Sequence, residues 1–288
     1  MKKIAAINIG SNSVRLMMWA DGKTLYKKID TTRLGEGLAS SGKMKPEAIE
    51  RTALAVDRFV RAAKEEGAEK VYAFATAAVR SSSNRAQFTD RVKELCGTEV
   101  DVVSGEREAE LGITGAIGNA DGGIIDVGGA STEITLRRGG KRVYSRSLDI
   151  GTVRLYDICG RDEKKLCEYV REFVKGYGDV RADGLEIRAI GGTATTIAAV
   201  ALSLEKYDPA RTDGAVVSLE QIGRMAHEFL SMEVERVKKV VGMDARRADV
   251  IGGGCLLMAE IMKKMEIESI TVSESDNLEG YVIAKEGI

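Results

Sequence analysis

The chain has 288 residues and nearly balanced charge, with 43 Lys and Arg against 44 Asp and Glu and a formal net charge of −1. This length is typical of two domains, and the balance gives no global field to attract nucleic acid or an anionic membrane. No apolar run approaches the roughly 18 residues of a membrane span. The single histidine, His227, argues against serine-type triads and histidine-rich zinc sites. The scattered cysteines are expected to be reduced thiols of a cytoplasmic protein: Cys96, Cys159, Cys167 and Cys255.

Strands and helices alternate along the chain in two similar halves. Strands are expected at residues 3–9, 14–19, 24–30, 70–76 and 99–103, then at 123–126, 132–137, 142–149, 186–190 and 269–272. Helices are expected at 46–66, 83–95, 106–117 and 164–177, over most of 195–264, and at the C-terminus. A stripe of Met258, Ile261, Met262 and Met265 is expected to serve core or dimer packing. The pattern predicts a duplicated α/β architecture with a boundary near residues 118–122.

A short pattern occurs twice, first at residues 7–14 and again at 125–132. Each copy joins an apolar run, one polar residue and a turn rich in Gly and Ser. Consecutive backbone amides in such a turn form a concavity that binds anions. Two facing turns would grip a phosphate chain from both sides. The copies differ at the polar residue, because Asn8 in the first corresponds to Asp126 in the second.

An ordered set of motifs covers nearly the whole chain. The motifs lie at residues 9–16, 33–38, 75–80, 104–109, 126–133, 191–196 and 247–251. With them the chain resembles the exopolyphosphatase and guanosine pentaphosphate phosphatase family, part of the actin, sugar-kinase and heat-shock ATPase superfold. The resemblance implies an α/β fold of two ribonuclease-H-like (actin-like ATPase) domains with an active-site cleft between them. The first domain would comprise residues 1–118 plus a returning helix at 277–288, and the second residues 119–276.

The resemblance also implies roles for individual carboxylates. Glu108 would be the general base that activates water, with Glu106 as the less favoured candidate. Asp126 and Glu133 would hold Mg²⁺, together with position 8, where Asn8 stands in place of the family's Asp. Mg²⁺ needs only one or two carboxylates in addition to phosphate oxygens and water. Such a metal neutralises charge during cleavage of a phosphoanhydride.

Backbone amides, hydroxyls and guanidinium groups of the motifs are expected to bind the phosphates. The expected set is Gly10, Ser11, Asn12, Ser13, Arg33, Arg80, Gly128, Gly129, Ser131, Gly192 and Thr193. A guanidinium can bind phosphate through two hydrogen bonds. Arg33 and Arg80 could equally be surface charges, and a solitary Gly-Gly-Thr is often only a turn.

Three positions depart from the family pattern. Asn8 replaces a carboxylate that helps to hold the metal, so both metal affinity and turnover are affected. Ala130 replaces the middle glycine of the second turn, and its methyl group can restrict the loop. Leu278 stands where the family carries Arg, which removes one cationic contact.

The resemblance implies a cytoplasmic, Mg²⁺-dependent hydrolase that removes terminal phosphate from inorganic polyphosphate or from guanosine pentaphosphate, a nucleotide of the stringent response. It also implies a homodimer, with neither membrane nor nucleic acid as a partner. One alternative is a weakly active or non-catalytic sensor that binds these polyphosphates, because of Asn8. Another is a kinase-like phosphotransferase of the same superfold. Glu108 favours water activation over a sugar pocket.

Overall fold

The computed structural model describes residues 2–288, which form two β-sheets surrounded by helices. The first sheet has the strand order β3-β2-β1-β4-β5 and the second the order β10-β11-β9-β6-β7-β8. The strands are β1 (Lys3–Ile9), β2 (Val14–Ala20), β3 (Lys23–Asp30), β4 (Lys70–Ala75), β5 (Val100–Val102), β6 (Gly122–Val127), β7 (Thr132–Arg138), β8 (Lys141–Leu148), β9 (Ile187–Ile190), β10 (Val216–Ser218) and β11 (Ser269–Val272).

Thirteen α-helices lie within the described residues. They are α1 (Leu38–Ser41), α2 (Pro46–Glu65), α3 (Ala77–Ser81), α4 (Arg85–Cys96), α5 (Gly105–Ile117), α6 (Thr152–Cys159), α7 (Glu163–Val174), α8 (Gly191–Ala201), α9 (Pro209–Thr212), α10 (Leu219–Ser231), α11 (Val234–Val237), α12 (Ile251–Met265) and α13 (Asn277–Glu286). None of those helices is long and apolar enough to cross a bilayer.

The two sheets repeat one topology. In the first, β1, β2 and β3 form an antiparallel meander, while β4 and β5 continue parallel to β1. In the second, β6, β7 and β8 form the meander, and β9 and β11 continue parallel to β6. The short β10 adds an antiparallel edge. This is the ribonuclease-H-like arrangement twice over, so the predicted fold class is confirmed.

Side-chain alternation decides what each sheet presents to its neighbours, because successive residues of a strand point to opposite faces. On β1, Ala5 and Ile7 face a core closed by α2 and α4, whereas Ile4 and Ala6 face α5 and α13. The same alternation places Asn8 on the side of α5 and α13.

The second sheet repeats this alternation. On β6, Ile125 and Val127 face the core of the second half, and Ile124 faces Ile113 of α5. Asp126 therefore points to the same side as Ile124. Helix α5 thus lies between the two sheets, and both polar strand residues of the repeat are turned towards it.

Helix α13 packs on the first sheet, although it follows the second sheet in sequence. Leu278, Tyr281 and Val282 join the cluster that contains Ile4 and Phe74. The rings of Phe74 and Tyr281 stack with centroids 4.3 Å apart. We propose on this packing that 277–288 belongs with 1–118 and that 119–276 forms the second domain.

Several local predictions need correction. The short helices α3 and α6 were not predicted, and α8 begins at Gly191, directly after β9, with no intervening turn. The stretch predicted as mostly helical, 195–264, contains the strand β10, because Val217 reaches the core of the second half. Short elements of this kind carry too few residues for a clear hydrophobic period.

Two further features of the sequence have ordinary structural roles. The methionine stripe of α12 is buried in the core of the second half. His227 is an exposed residue of α10 that pairs with Glu163 at 3.0 Å.

The position of Leu278 gives a stability prediction. Its side chain is fully buried between α13 and the first sheet, so Leu278→Arg would place an unpaired cation in an apolar core. We expect a loss of about 3 kcal/mol or more in the free energy of unfolding, measured by urea denaturation. Leu202→Arg, at the half-exposed C-terminal end of α8, is the matched control and should cost much less. Equal stability of the two variants would mean that Leu278 does not lie in the core.

Candidate functional site

The two glycine-containing turns have the same internal hydrogen bond. The Gly10 amide donates to the Ser13 carbonyl at 3.0 Å, and the Gly128 amide donates to the Ser131 carbonyl at 3.0 Å. A Cβ atom at Gly128 would lie 2.9 Å from that Ser131 oxygen, and one at Gly10 would lie 3.2 Å from the Ser13 oxygen. A side chain would therefore clash with the closed turn at Gly128 and would crowd it at Gly10. The sequence repeat is a structural repeat.

The turns also touch each other. A Cβ atom on Gly129 would lie 2.8 Å from the Cβ atom of Ser11 and 3.2 Å from the Asn12 amide nitrogen. Between the turns lies a small cavity of about 70 Å³. Its lining comprises Asn8, Gly10, Ser11, Asn12, Ser13, Arg15, Thr76, Ala77, Glu108, Asp126, Val127, Gly128, Gly129, Ala130, Ser131, Gly191, Gly192, Arg247 and Asn277. Most of the residues expected from the sequence thus meet in one place.

Asp126 and Glu133 are direct partners across the antiparallel pair of β6 and β7. Directly opposite side chains lie on the same face of a sheet, and both carboxylates are buried. The Ser147 hydroxyl donates to Glu133 Oε1 at 2.6 Å, and the Asn277 amide donates to Asp126 Oδ2 at 3.4 Å. Burial, followed by the negative charge of Glu108, raises the pKa of Asp126 to about 7. The same two causes raise the pKa of Glu133 well above its usual range.

Glu108 lies in the first turn of α5, which begins after Ser104, whose hydroxyl accepts from the Arg107 amide at 3.1 Å. Its side chain is buried and lines the cavity, whereas Glu106 is exposed. Arg80 Nη1 donates to Glu108 Oε2 at 2.8 Å. Burial raises the pKa of Glu108, and Arg80 opposes that rise. The geometry thus favours Glu108 over Glu106 as a group able to act in the cavity.

Two arginines that the sequence reasoning did not single out also line the cavity. Arg15 projects from β2 and forms an ion pair with Asp276. Arg247 is buried, its nearest carboxylate being Asp244 at 3.8 Å, and burial lowers its pKa to about 10. Both therefore remain cationic at neutral pH. Each lies in one of the motifs described above, and this position in a motif is the sequence feature that could have identified it as a site residue.

Three expected phosphate contacts have protein partners in the structure. Arg33 forms two hydrogen bonds to Asp249, at 2.6 and 3.0 Å, and Arg80 pairs with Glu108. The Thr193 hydroxyl donates to the Val127 carbonyl at 2.8 Å. None of these three lines the small cavity, and their binding of phosphate stays a prediction.

Gly192 lines the cavity beside Arg247, and its binding of phosphate stays a prediction. A Cβ atom there would lie 2.0 Å from Arg247 Nη2. The missing side chain therefore leaves space for the guanidinium. Gly191, at a φ of +81°, similarly leaves space for Asp126, since a Cβ atom there would lie 2.6 Å from its Oδ1.

The residues around Asp126 suit a hard cation that keeps part of its hydration. Within residues 2–288, no group of three or more His, Cys, Asp or Glu side chains is arranged to hold a metal ion. The carboxylate of Asp126 and the buried Asn8 Oδ1, which lacks a hydrogen-bond partner, nevertheless both reach the cavity. Mg²⁺ commonly takes one or two protein carboxylates and completes its shell with water and phosphate oxygens. The donor set fits such an ion.

Paired glycine turns, a buried acid on the helix between two repeated sheets and two arginines that line the cavity are the features of a phosphohydrolase of the ribonuclease-H-like class. The profile of the Ppx/GppA phosphatase family matches residues 18–287, and the chain belongs to that family. Exopolyphosphatase 2 of Mycobacterium tuberculosis (strain H37Rv) is 31% identical over 318 residues, covering 100% of this chain and 99% of the relative. Guanosine-5'-triphosphate,3'-diphosphate pyrophosphatase of Photobacterium profundum is 28% identical, covering 96% of this chain and 58% of the relative.

Solved structures agree with this assignment. The crystal structure of an exopolyphosphatase-like protein superposes with a TM-score of 0.90 at 25% identity, covering 99% of this chain and 98% of that one. The Aquifex aeolicus member of the Ppx/GppA family superposes with a TM-score of 0.79 at 28% identity, covering 99% and 97% of the two chains. The protein is an enzyme of the phosphatase type.

The raised pKa of Asp126 predicts how metal-free stability depends on pH. The folded chain retains a proton between the ordinary pKa of 3.8 and about 7, whereas the unfolded chain has lost it. Thermal denaturation in EDTA should therefore show stability falling as the pH rises through this window. Asp126→Asn should flatten the fall. An identical pH profile for both proteins would show that Asp126 is not protonated in the folded state.

Proposed function

We propose that the protein hydrolyses a terminal phosphoanhydride bond of inorganic polyphosphate or of a guanosine pentaphosphate and releases orthophosphate. The observation that carries this proposal is the convergence of the two turns on one cavity with Glu108 and Asp126. The turns offer backbone amides for phosphate oxygens, and Ser11, Ser13 and Ser131 add hydroxyl donors. Cleavage of such a bond depends mainly on positioning and on the neutralisation of charge.

Glu108 is the proposed general base. It would accept a proton from a water molecule positioned in the cavity, so it must be ionised before reaction. Burial alone would protonate it, and the ion pair with Arg80 at 2.8 Å counteracts this effect. Arg80 thus has a use in the reaction whether or not it touches phosphate.

Mg²⁺ is the proposed metal, held by Asp126 with Asn8 and Glu133. When bound, it would neutralise negative charge on the phosphate oxygens. The hydrogen bond from Asn277 orients Asp126, and the bond from Ser147 orients Glu133. The proposed setting is the cytoplasm and the proposed assembly a homodimer.

A wider groove of about 970 Å³ provides space for the remainder of the substrate. It shares Arg15, Gly191, Gly192 and Arg247 with the small cavity and continues between β3 and the region around α9. Lys27 and Arg246 line it further out, as do Leu25 and Val241. This mixture of cationic and apolar groups accommodates either a phosphate chain or the nucleoside end of a nucleotide.

The alternative function is a sensor that binds these compounds with little or no turnover. Asn8 favours it, because an amide oxygen attracts a divalent ion less strongly than a carboxylate does. Glu108 and Asp126, both present in the cavity, favour catalysis.

Substitution of Glu108 tests the proposed base. Glu108→Gln should lower turnover by roughly 10²–10⁴-fold, the usual range for a general base, while substrate binding survives. Glu106→Gln, which alters an exposed residue of the same helix turn, is the control and should have much less effect. Phosphate release is measured with malachite green. Similar losses in both variants would count against the assignment.

A substrate panel separates the enzyme from the sensor. Phosphate release is measured for polyphosphates of several chain lengths and for pppGpp, with and without Mg²⁺, beside binding measured by calorimetry. We expect Mg²⁺-dependent release from at least one of them. Binding without any release would support the sensor. The absence of both binding and release would contradict both functions.

A further inference from the structure

The two copies of the repeat differ in charge at equivalent positions. In the second copy, Asp126 of β6 pairs directly with Glu133 of β7. In the first copy, Asn8 of β1 pairs directly with Arg15 of β2. The second hairpin therefore carries two acids side by side, of which Asp126 lines the cavity, and the first carries an amide and a cation that both line it.

The carboxylate that pairs with Arg15 lies outside both copies of the repeat. Asp276, just before α13, is 3% exposed and forms the ion pair with Arg15. Lys27 Nζ lies 3.9 Å from the same oxygen. On these contacts, and resting on the proposed function, we propose that Asp276 is a positioning residue that fixes Arg15 as a phosphate-binding cation and replaces a carboxylate at position 8.

The two oxygens of Asp276 have separate partners. Oδ1 accepts from the Leu278 amide at 2.9 Å, and the Asp276 amide donates to Glu279 Oε2 at 2.9 Å, which completes the cap of α13. That cap needs only one side-chain oxygen, and Asn or Ser would supply it equally well. Oδ2 is left over, and it is the atom that binds Arg15. The charge of Asp276 is therefore not required by the helix.

The neutrality of Asn8 has a consequence for the same arginine. Arg15 already has Asp276 as its partner and is attracted by Asp126. A carboxylate at position 8 would face Arg15 across the strand pair and add another negative charge beside it. Arg15 would then be over-neutralised and would attract phosphate less strongly. With Asn8, the side of the guanidinium turned to the cavity, which Arg247 also lines, stays available for phosphate.

A pair of exchanged charges tests the proposal. Asp276→Asn keeps the cap and removes the charge, so it should raise KM and weaken binding about ten- to a hundredfold with a smaller change in kcat. Asn8→Asp alone should also weaken binding. The double variant should bind better than Asp276→Asn, because the new carboxylate holds Arg15 from the opposite strand. Binding of a non-hydrolysable imido analogue of tripolyphosphate is measured by calorimetry both with Mg²⁺ and in EDTA, and the variants are compared in EDTA, where a carboxylate at position 8 cannot act through the metal.

Asp101→Asn is the matched control. Asp101 accepts a hydrogen bond at 2.9 Å from Tyr281, in the middle of α13, and does not line the cavity, so its loss should affect the helix but not the site. It should leave KM and binding unchanged, and thermal denaturation of every variant confirms folding. Unchanged binding in Asp276→Asn, or a double variant no better than that single variant, would overturn the proposal while leaving the proposed function intact. If the wild-type protein binds no phosphate chain, both fall together.

Discussion

Burial of several carboxylates in one small space is the constraint on which the rest of the site depends. Glu108, Asp126 and Glu133 are each buried. The charge of Glu108 raises the pKa of both other acids, and the charge of Asp126 raises that of Glu133. Such an arrangement persists only when cations or hydrogen-bond donors balance it. Arg80 balances Glu108, while Ser147 and Asn277 donate to the other two. The negative charge that these partners do not neutralise favours the binding of a cation.

The duplicated fold creates this space and also makes it asymmetric. Both sheets turn the polar residue of their first strand towards α5, because the alternation along β1 and β6 is the same. The first hairpin presents Asn8 and Arg15, and the second presents Asp126 and Glu133. One topology thus brings an amide and a cation to the cavity from the first hairpin and the carboxylate of Asp126, paired with Glu133, from the second.

Much of the site was predictable from the residues, because the turns and their flanking strands are local features. The sequence repeat predicts that Gly10 is equivalent to Gly128 and Ser13 to Ser131. In the structure, both turns are closed by the same hydrogen bond from the Gly amide to the Ser carbonyl. Arg33 illustrates the limit. Its sequence context suits phosphate binding, yet Asp249, more than two hundred residues later, occupies its guanidinium. No local pattern contains information about such a partner.

The sequence by itself determined all the strands except β10, and it determined the two turns and their order, since hydrophobic alternation and glycine act over a few residues. It also determined that position 8 is neutral. Only the tertiary structure decided which charges meet: Arg80 with Glu108, Arg15 with Asp276, and Leu278 with the apolar core instead of the cavity. Electrostatic interactions and burial depend on distance in space, and folding sets that distance by bringing α5 and α13 against strands that are remote in sequence.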